Sequence, residues 1–287
     1  MNSENNISFF VTGASSSLGA SIVSSIHKEF PGSRLTLLKH SRPILEIDRV
    51  KVVSDLTVAR GDIVIHSAAT THASPEVYRE SNVVLTSSLV QASLKAGASH
   101  FVYISTLALG AEYGSYGASK AEAEEIVKNS GIPFTIIRLS EMYGGTSNEG
   151  LSKLIALVRR FPIVPYIPHT MFAPLYIDDA AQTIVRAATQ PPKNKTYVVA
   201  GPDILSFRDT VETIASAFGK RILVIPLPLI LLLPFATASD QLSRLKRRKN
   251  YDSSLAREEL SFRPRSFEKG LHSVCMYSAS ASCHGRI

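Results

Sequence analysis

FFVTGASSSLGAS, residues 9–21, runs from an apolar stretch through a glycine turn into a helix-forming segment. Gly13 stands where the backbone must turn at the end of a strand, and Gly19 where a helix packs closely against that strand. Between them, at Ser16 or Ser17 according to the spacing variant, a glycine would let the backbone approach a pyrophosphate. Serine is small and its hydroxyl can donate to phosphate, so the exchange weakens the motif without cancelling it.

Outward from this turn, the chain alternates short apolar runs with helix-compatible stretches. ISFFVTG, SRLTLLK, VKVVSDL, DIVIHSAA, HFVYIST and FTIIRLS are mostly apolar throughout rather than every second residue. Such runs suit strands buried on both faces, and the alternation is that of βαβ units. We expect an α/β fold, a doubly wound parallel Rossmann sheet, with a smaller C-terminal lobe. The expected division is 1–146 plus about 173–190 for the sheet domain, and 147–172 with 191–287 for the lobe.

The 287 residues, 45% hydrophobic and 19% charged, are enough for a full core and suit an ordinary globular protein. Both cysteines, Cys275 and Cys283, lie in a Ser/Ala-rich tail, so no disulfide framework is expected and a reducing, cytoplasmic setting is the simpler reading. The polar opening MNSENNIS lacks the basic and apolar regions of a signal peptide. The net charge of +7 comes largely from Arg244–Lys249 (RLKRRK), read as a solvated helix end, with an anionic ligand or lipid surface as the alternative. No aromatic residue interrupts that run, which argues against single-stranded nucleic acid. The apolar stretch 222–238 is short and carries Pro226, Pro228 and Pro234, so a buried strand end and core helix are expected rather than a membrane span, with shallow surface attachment as the competitor. The eight histidines show no ligand spacing such as HExxH, and no metal is expected.

From Ile7 to about Leu271 the chain resembles the extended short-chain dehydrogenase/reductase family, also called the NAD-dependent epimerase/dehydratase family. TGASSSLG resembles its TGxxGxxG loop, DLT at 55–57 its adenine-side turn and DIVIHSAA at 62–69 its fourth strand. YIDDAA at 176–181 and AREELSFRPRSFEKGL at 256–271 are similar to its C-terminal landmarks. The resemblance implies a dinucleotide held by Gly13, Ser15, Ser16, Ser17, Leu18, Gly19, Asp55, Leu56, Ala68, Ala69 and Asn82, and a homodimer. Asn82 falls where the family has an asparagine before the helix that leads to the catalytic strand.

STLALGAEYGSYGASKAEAEE, 105–125, carries the chemistry. Tyr116 and Lys120 are four apart, hence on one helical face, and match the family's Tyr-x-x-x-Lys pair. A phenol beside an ammonium ionises more readily than alone, which makes it a usable acid and base. Thr106 occupies the place of the family's substrate-binding hydroxyl, with Ser105 as the alternative register. The resemblance also implies that Tyr116 and Lys120 contact the cofactor.

NAD enzymes of this fold carry a carboxylate after the second strand for the ribose hydroxyls. Here the strand runs into Lys39, His40, Ser41 and Arg42, all suited to a 2'-phosphate, so NADP(H) is expected, with NAD as the alternative. Sugar dehydratases of the family follow the active-site threonine with Asp-Glu, whereas this chain has Leu107 and Ala108. Hydride transfer between NADP(H) and a carbonyl or hydroxyl, in a small-molecule substrate that the resemblance suggests is a nucleotide-activated sugar, is the leading expectation. NAD-dependent nucleotide-sugar epimerisation follows, then a non-catalytic dinucleotide sensor. The family's diphosphate-gripping arginine is absent from TMFAPLYIDD, leaving Lys153, Arg159, Arg160, Arg208 and RLKRRK as candidates.

Overall fold

The computed structural model describes residues 7–39, 50–71, 73–145, 150–166, 170–226 and 249–284, with side chains as far as Cys275. The six apolar runs form β1 (Ser8–Thr12), β2 (Arg34–Leu38), β3 (Val50–Val53), β4 (Ile63–His66), β5 (His100–Thr106) and β6 (Phe134–Leu139). Four further short strands follow: β7 (Met142–Tyr143), β8 (Ile163–Tyr166), β9 (Met171–Phe172) and β10 (Leu175–Tyr176). After these come β11 (Lys195–Val199), β12 (Leu205–Ser206) and β13 (Leu223–Pro226). The helices are α1 (Ser17–Glu29), α2 (Pro75–Tyr78), α3 (Leu85–Ala96), α4 (Gly114–Lys128), α5 (Leu151–Arg160), α6 (Ile177–Thr189), α7 (Phe207–Ala217), α8 (Ser254–Glu259) and α9 (Phe267–His284).

A seven-stranded sheet runs β11-β6-β5-β4-β1-β2-β3, parallel at every junction. Parallel neighbours need long crossovers, and helices supply them on both faces. Leu18, Ile22 and Ile26 of α1 and Ile184 and Val185 of α6 pack with Phe9, Val11, Leu37 and Val102 on one side. On the other, Leu89 and Val90 of α3 and Ala123 and Val127 of α4 meet Phe10, Val64, Phe101 and Tyr103. The strand order reverses between β1 and β4, opening the crevice at their carboxyl ends where ligands of such sheets bind.

Two strands of this sheet depart from the expectation. β3 is at the edge, so Lys51 and Val52 face solvent and it is not buried on both sides. β11 is the sheet's seventh strand, although 191–287 was expected to belong to the lobe. Its alternating exposure hid it, because Lys195, Thr196 and Val198 are not buried while Tyr197 and Val199 are.

The lobe has a core of its own, in which Tyr143, Leu151, Ile155, Val158, Phe172, Val211, Ile214, Phe267 and Leu271 pack together. Three two-stranded pairings, β10 with β7, β12 with β9 and β13 with β8, lace it. β13 was expected to be a buried strand end, yet Leu223 is 57% and Ile225 43% exposed; among the described residues this strand pairs with β8 alone. The helix expected after it, and Arg244–Arg248 of the basic run, lie outside the described residues, as do His40, Ser41 and Arg42. No helix among the described residues is long and apolar enough to cross a membrane.

Candidate active site

The glycine turn closes through its serine. Gly13 has φ +75°, and a Cβ there would lie 2.6 Å from the Ala68 nitrogen. One on Gly19 would lie 2.1 Å from the Gly13 carbonyl oxygen, so neither position accepts a side chain. Ser16 has φ −81° and caps α1, which needs no glycine. Its hydroxyl donates to the Gly13 carbonyl (2.8 Å) and accepts from the Gly19 amide (3.0 Å). The expectation that this hydroxyl donates to phosphate is therefore corrected: its proton is spent inside the turn.

Ser15 is exposed, Ser17 half-buried, and the Leu18 side chain sits in the core, so Leu18 can meet a ligand only through its backbone. Ala68 and Ala69 flank the turn from the end of β4. With no acidic residue in its own first turn, α1 keeps the positive end of its helix dipole. Asp55 is exposed after β3, while Leu56 packs against the core beneath. Lys39, exposed directly after β2, donates its amide to the Val53 carbonyl (2.7 Å). The close Gly13–Ala68 approach and the open amino end of α1 fit a dinucleotide pyrophosphate.

On α4, Tyr116, Lys120 and Glu124 follow one another at intervals of four and are all buried. Lys120 Nζ donates to the Ile104 carbonyl of β5 (2.7 Å) and lies 4.2 Å from the Tyr103 ring centroid. Tyr116 stacks edge-on against Tyr78, centroids 5.7 Å apart. Glu124 takes a bidentate pair from Arg138 (2.9 and 2.7 Å) and the Ser105 hydroxyl (2.6 Å). Burial would raise the Glu124 carboxyl, but bonds from Arg138 and Ser105 hold it below its ordinary value. Ser105 is thus turned into the core, whereas Thr106 is half-buried and accepts from the Ala108 amide (3.1 Å).

Burial pushes the Lys120 ammonium down to about 7, against the pull of Glu124. A base that holds its proton less well folded than unfolded opposes folding while the unfolded chain is protonated. That penalty is complete below about pH 7 and fades as pH rises toward 10.5. Lys120→Met is therefore expected to raise Tm, and by more at pH 6 than at pH 10. Thermal scans at the two pH values check this, and equal shifts would contradict it.

Asn82 lies before α3, in a π-helical stretch, Arg79–Val84, that joins α2 to α3. It is buried, takes the Thr70 amide on Oδ1 (3.0 Å) and donates Nδ2 to Ser119 of α4 (3.0 Å). Such π-turns gather at functional sites. The two aspartates of YIDDAA divide their work: Asp178 accepts from Ser21 of α1 (2.6 Å), and Asp179 pairs with Arg265 (2.8 Å). Arg265 also covers the Tyr176 ring at 4.2 Å. The last two sequence landmarks are thereby one contact.

Among the described residues, most of the basic residues proposed to grip a diphosphate have other partners. Arg208 pairs with Glu212, and Arg159 and Arg160 lie over Phe218 and Phe161. Lys249, the last residue of RLKRRK, is not solvated but forms a largely buried pair with Glu141 just after β6. Sequence reading missed Glu124, Arg138, Glu141, Arg265 and His66 as site-building residues. Only Glu124 carried a local signal, four residues beyond Lys120.

Comparison with known proteins agrees with this fold. The chain is 23% identical, over a 297-residue alignment covering 90% of each protein, to a UDP-glucose 4-epimerase of Vibrio cholerae. It is 27% identical to a dTDP-glucose 4,6-dehydratase of Streptomyces antibioticus, over 76% of this chain and 70% of that one. The solved structure of MoeE5 in complex with UDP-glucose and NAD superposes with a TM-score of 0.76 at 18% identity, covering 96% of this chain and 99% of that one, and so shares the fold. A family profile matches residues 9–200, from β1 through β11 and across the Tyr116–Lys120 face, and the chain accordingly belongs to the NAD dependent epimerase/dehydratase family of short-chain dehydrogenase/reductase-type enzymes.

Proposed function

We propose that this chain moves hydride between a nicotinamide dinucleotide, NADP(H), and a carbonyl or hydroxyl carbon of a nucleotide-activated sugar. The observation that carries the reading is the buried Tyr116–Lys120 face, pinned to β5 through the Ile104 carbonyl directly before Ser105 and Thr106. Gly13, Gly19, the backbone of Ser15–Leu18, Ala68 and Ala69 would hold the dinucleotide, which supplies the hydride donor and acceptor when bound. Tyr116 Oη takes the hydroxyl proton in oxidation and returns it in reduction, and Thr106 Oγ1 orients the substrate oxygen. Lys120, when protonated, would supply positive charge on the same helical face as the phenol and stabilise its ionised form. With Leu107 and Ala108 after Thr106, those two positions offer no carboxylate for removing water.

The likeness to a UDP-glucose 4-epimerase along 90% of both chains favours a second reading, epimerisation on a retained NAD. UDP-glucose, UDP-N-acetylglucosamine, UDP-glucuronic acid and dTDP-glucose, each incubated with and without NADPH, separate the two. Formation of the C4 epimer without added cofactor supports epimerisation. NADPH consumption by the matching 4-keto sugar supports the reductase. Neither outcome with any probe would remove both.

Cofactor choice has its own test. Lys39→Ala combined with Arg42→Ala is expected to weaken NADPH and spare NADH, because only NADPH carries the 2'-phosphate. A charge-assisted contact of about 1.5 to 3 kcal/mol corresponds to roughly tenfold to a hundredfold in Kd. The loss should shrink at high salt. Equal weakening of both dinucleotides, in fluorescence titrations, would favour NAD.

A further inference from the structure

His66 closes β4 and is fully buried, yet it has no part in the proton transfer described above. Its ring nitrogens bond in opposite directions. Nδ1 meets Thr12 Oγ1 at 2.7 Å, at the lip of the glycine turn, and Nε2 meets Thr86 Oγ1 at 2.9 Å, on α3. The Thr86 hydroxyl has a single proton and donates it to the Asn82 carbonyl at 2.6 Å. Toward His66 it can only accept, so Nε2 carries the imidazole proton and Nδ1 accepts from Thr12.

Beyond each end the chain of bonds continues. Thr12 Oγ1 also accepts from the Ala68 amide (3.2 Å), and Ser67 Oγ donates to the Thr12 carbonyl (2.7 Å). These bonds lock the ends of β1 and β4 together where Gly13 packs on Ala68. At the other end, the Asn82 side chain donates to Ser119, whose hydroxyl donates to the Tyr116 carbonyl (2.8 Å). Burial, with the Lys120 charge adding to it, pushes the imidazole down to about 3, so the ring stays neutral and keeps both roles at ordinary pH.

We propose that His66 is a positioning residue that uses its two nitrogens to align two parts of the site, the crevice at the ends of β1 and β4 through Thr12 and the first turns of α4 through Thr86, Asn82 and Ser119. What occupies the crevice rests on the dinucleotide reading above; the bond chain to α4 does not. The two halves can be cut separately because the two amide side chains mimic different nitrogens. In His66→Asn the amide oxygen replaces Nδ1 and stops short of Thr86. In His66→Gln the amide nitrogen replaces the Nε2 donor and leaves Thr12 without its acceptor. Thr86→Val and Thr12→Val make the same cuts from the neighbouring side and serve if either His66 variant fails to fold.

The readouts are NADH and NADPH dissociation constants by fluorescence and amide hydrogen exchange over residues 117–121 of α4. His66→Gln and Thr12→Val should weaken dinucleotide binding about fivefold to tenfold, the equivalent of one buried hydrogen bond, with α4 exchange unchanged. His66→Asn and Thr86→Val should speed α4 exchange by a similar factor and leave both dissociation constants within about twofold. A ring that merely fills space would move both readouts together in every variant, and that result, or no movement in either, overturns the proposal. If the wild type binds neither dinucleotide, the functional reading fails and takes the crevice half of the coupling with it, while hydrogen exchange still decides the α4 half.

Discussion

Tyr116→Phe is expected to lower turnover by about 10²- to 10⁴-fold while leaving dinucleotide affinity within about twofold, since positioned acid-base catalysis contributes on that scale. The substitution removes one oxygen. The ring keeps its buried place against Tyr78, and Lys120 keeps the Ile104 carbonyl, so the loss reads the proton transfer rather than the fold. Steady-state rates with whichever sugar nucleotide proves to be turned over, alongside an NADH titration, give the two numbers. Activity above about a tenth of wild type would remove Tyr116 as the acid and base. Lys120→Met should differ by losing affinity as well as rate, because the resemblance implies that the ammonium contacts the cofactor.

Glu124→Ala carries the largest expected cost in stability. Its side chain is 1% exposed and joins three elements: α4 itself, β5 through Ser105, and β6 through Arg138. Removing the carboxylate strands the Arg138 guanidinium, whose value Glu124 raises, with only partial access to water. Breaking such a pair from one side costs about 3 kcal/mol or more. That corresponds to a fall in Tm of roughly 5 °C or more for a chain of this size. Glu124→Gln keeps an acceptor for Ser105 and much of the shape, so it should fall between wild type and alanine. Calorimetry of the three proteins tests the order, and an alanine variant as stable as wild type would mean that the pair contributes only geometry.

These two residues show where sequence reading reaches its limit. Tyr116, Lys120 and the glycine turn were legible because their geometry is local. A spacing of four is a helical face wherever the helix lies, and glycines before and after a turn mark backbone that must approach backbone. The parallel sheet was legible for a related reason: apolar runs separated by helical segments leave few other ways to bury both faces of a strand. By contrast, the sequence put Thr106 first with Ser105 as the alternative register, and gave no sign that Ser105 faces Glu124, a residue 19 positions away. The sequence leaves Ser16 and Ser17 both open as phosphate donors by type, and only the cap geometry shows that the Ser16 proton is already in use.

The amino-acid sequence by itself determined the strand runs β1–β6, the crevice loop and the Tyr116–Lys120 face, because each depends on neighbours within a turn or two of the chain. The tertiary structure alone decided that β11 completes the sheet, that Lys249 is paired with Glu141, that Arg265 clamps Asp179, and that His66 stands between the crevice and α4. The pairings of His66 with Thr12 and of Lys249 with Glu141 join residues 54 and 108 positions apart. At such separations no side-chain period or spacing survives in the sequence. The partner is set by which strand ends and helix faces the fold brings together.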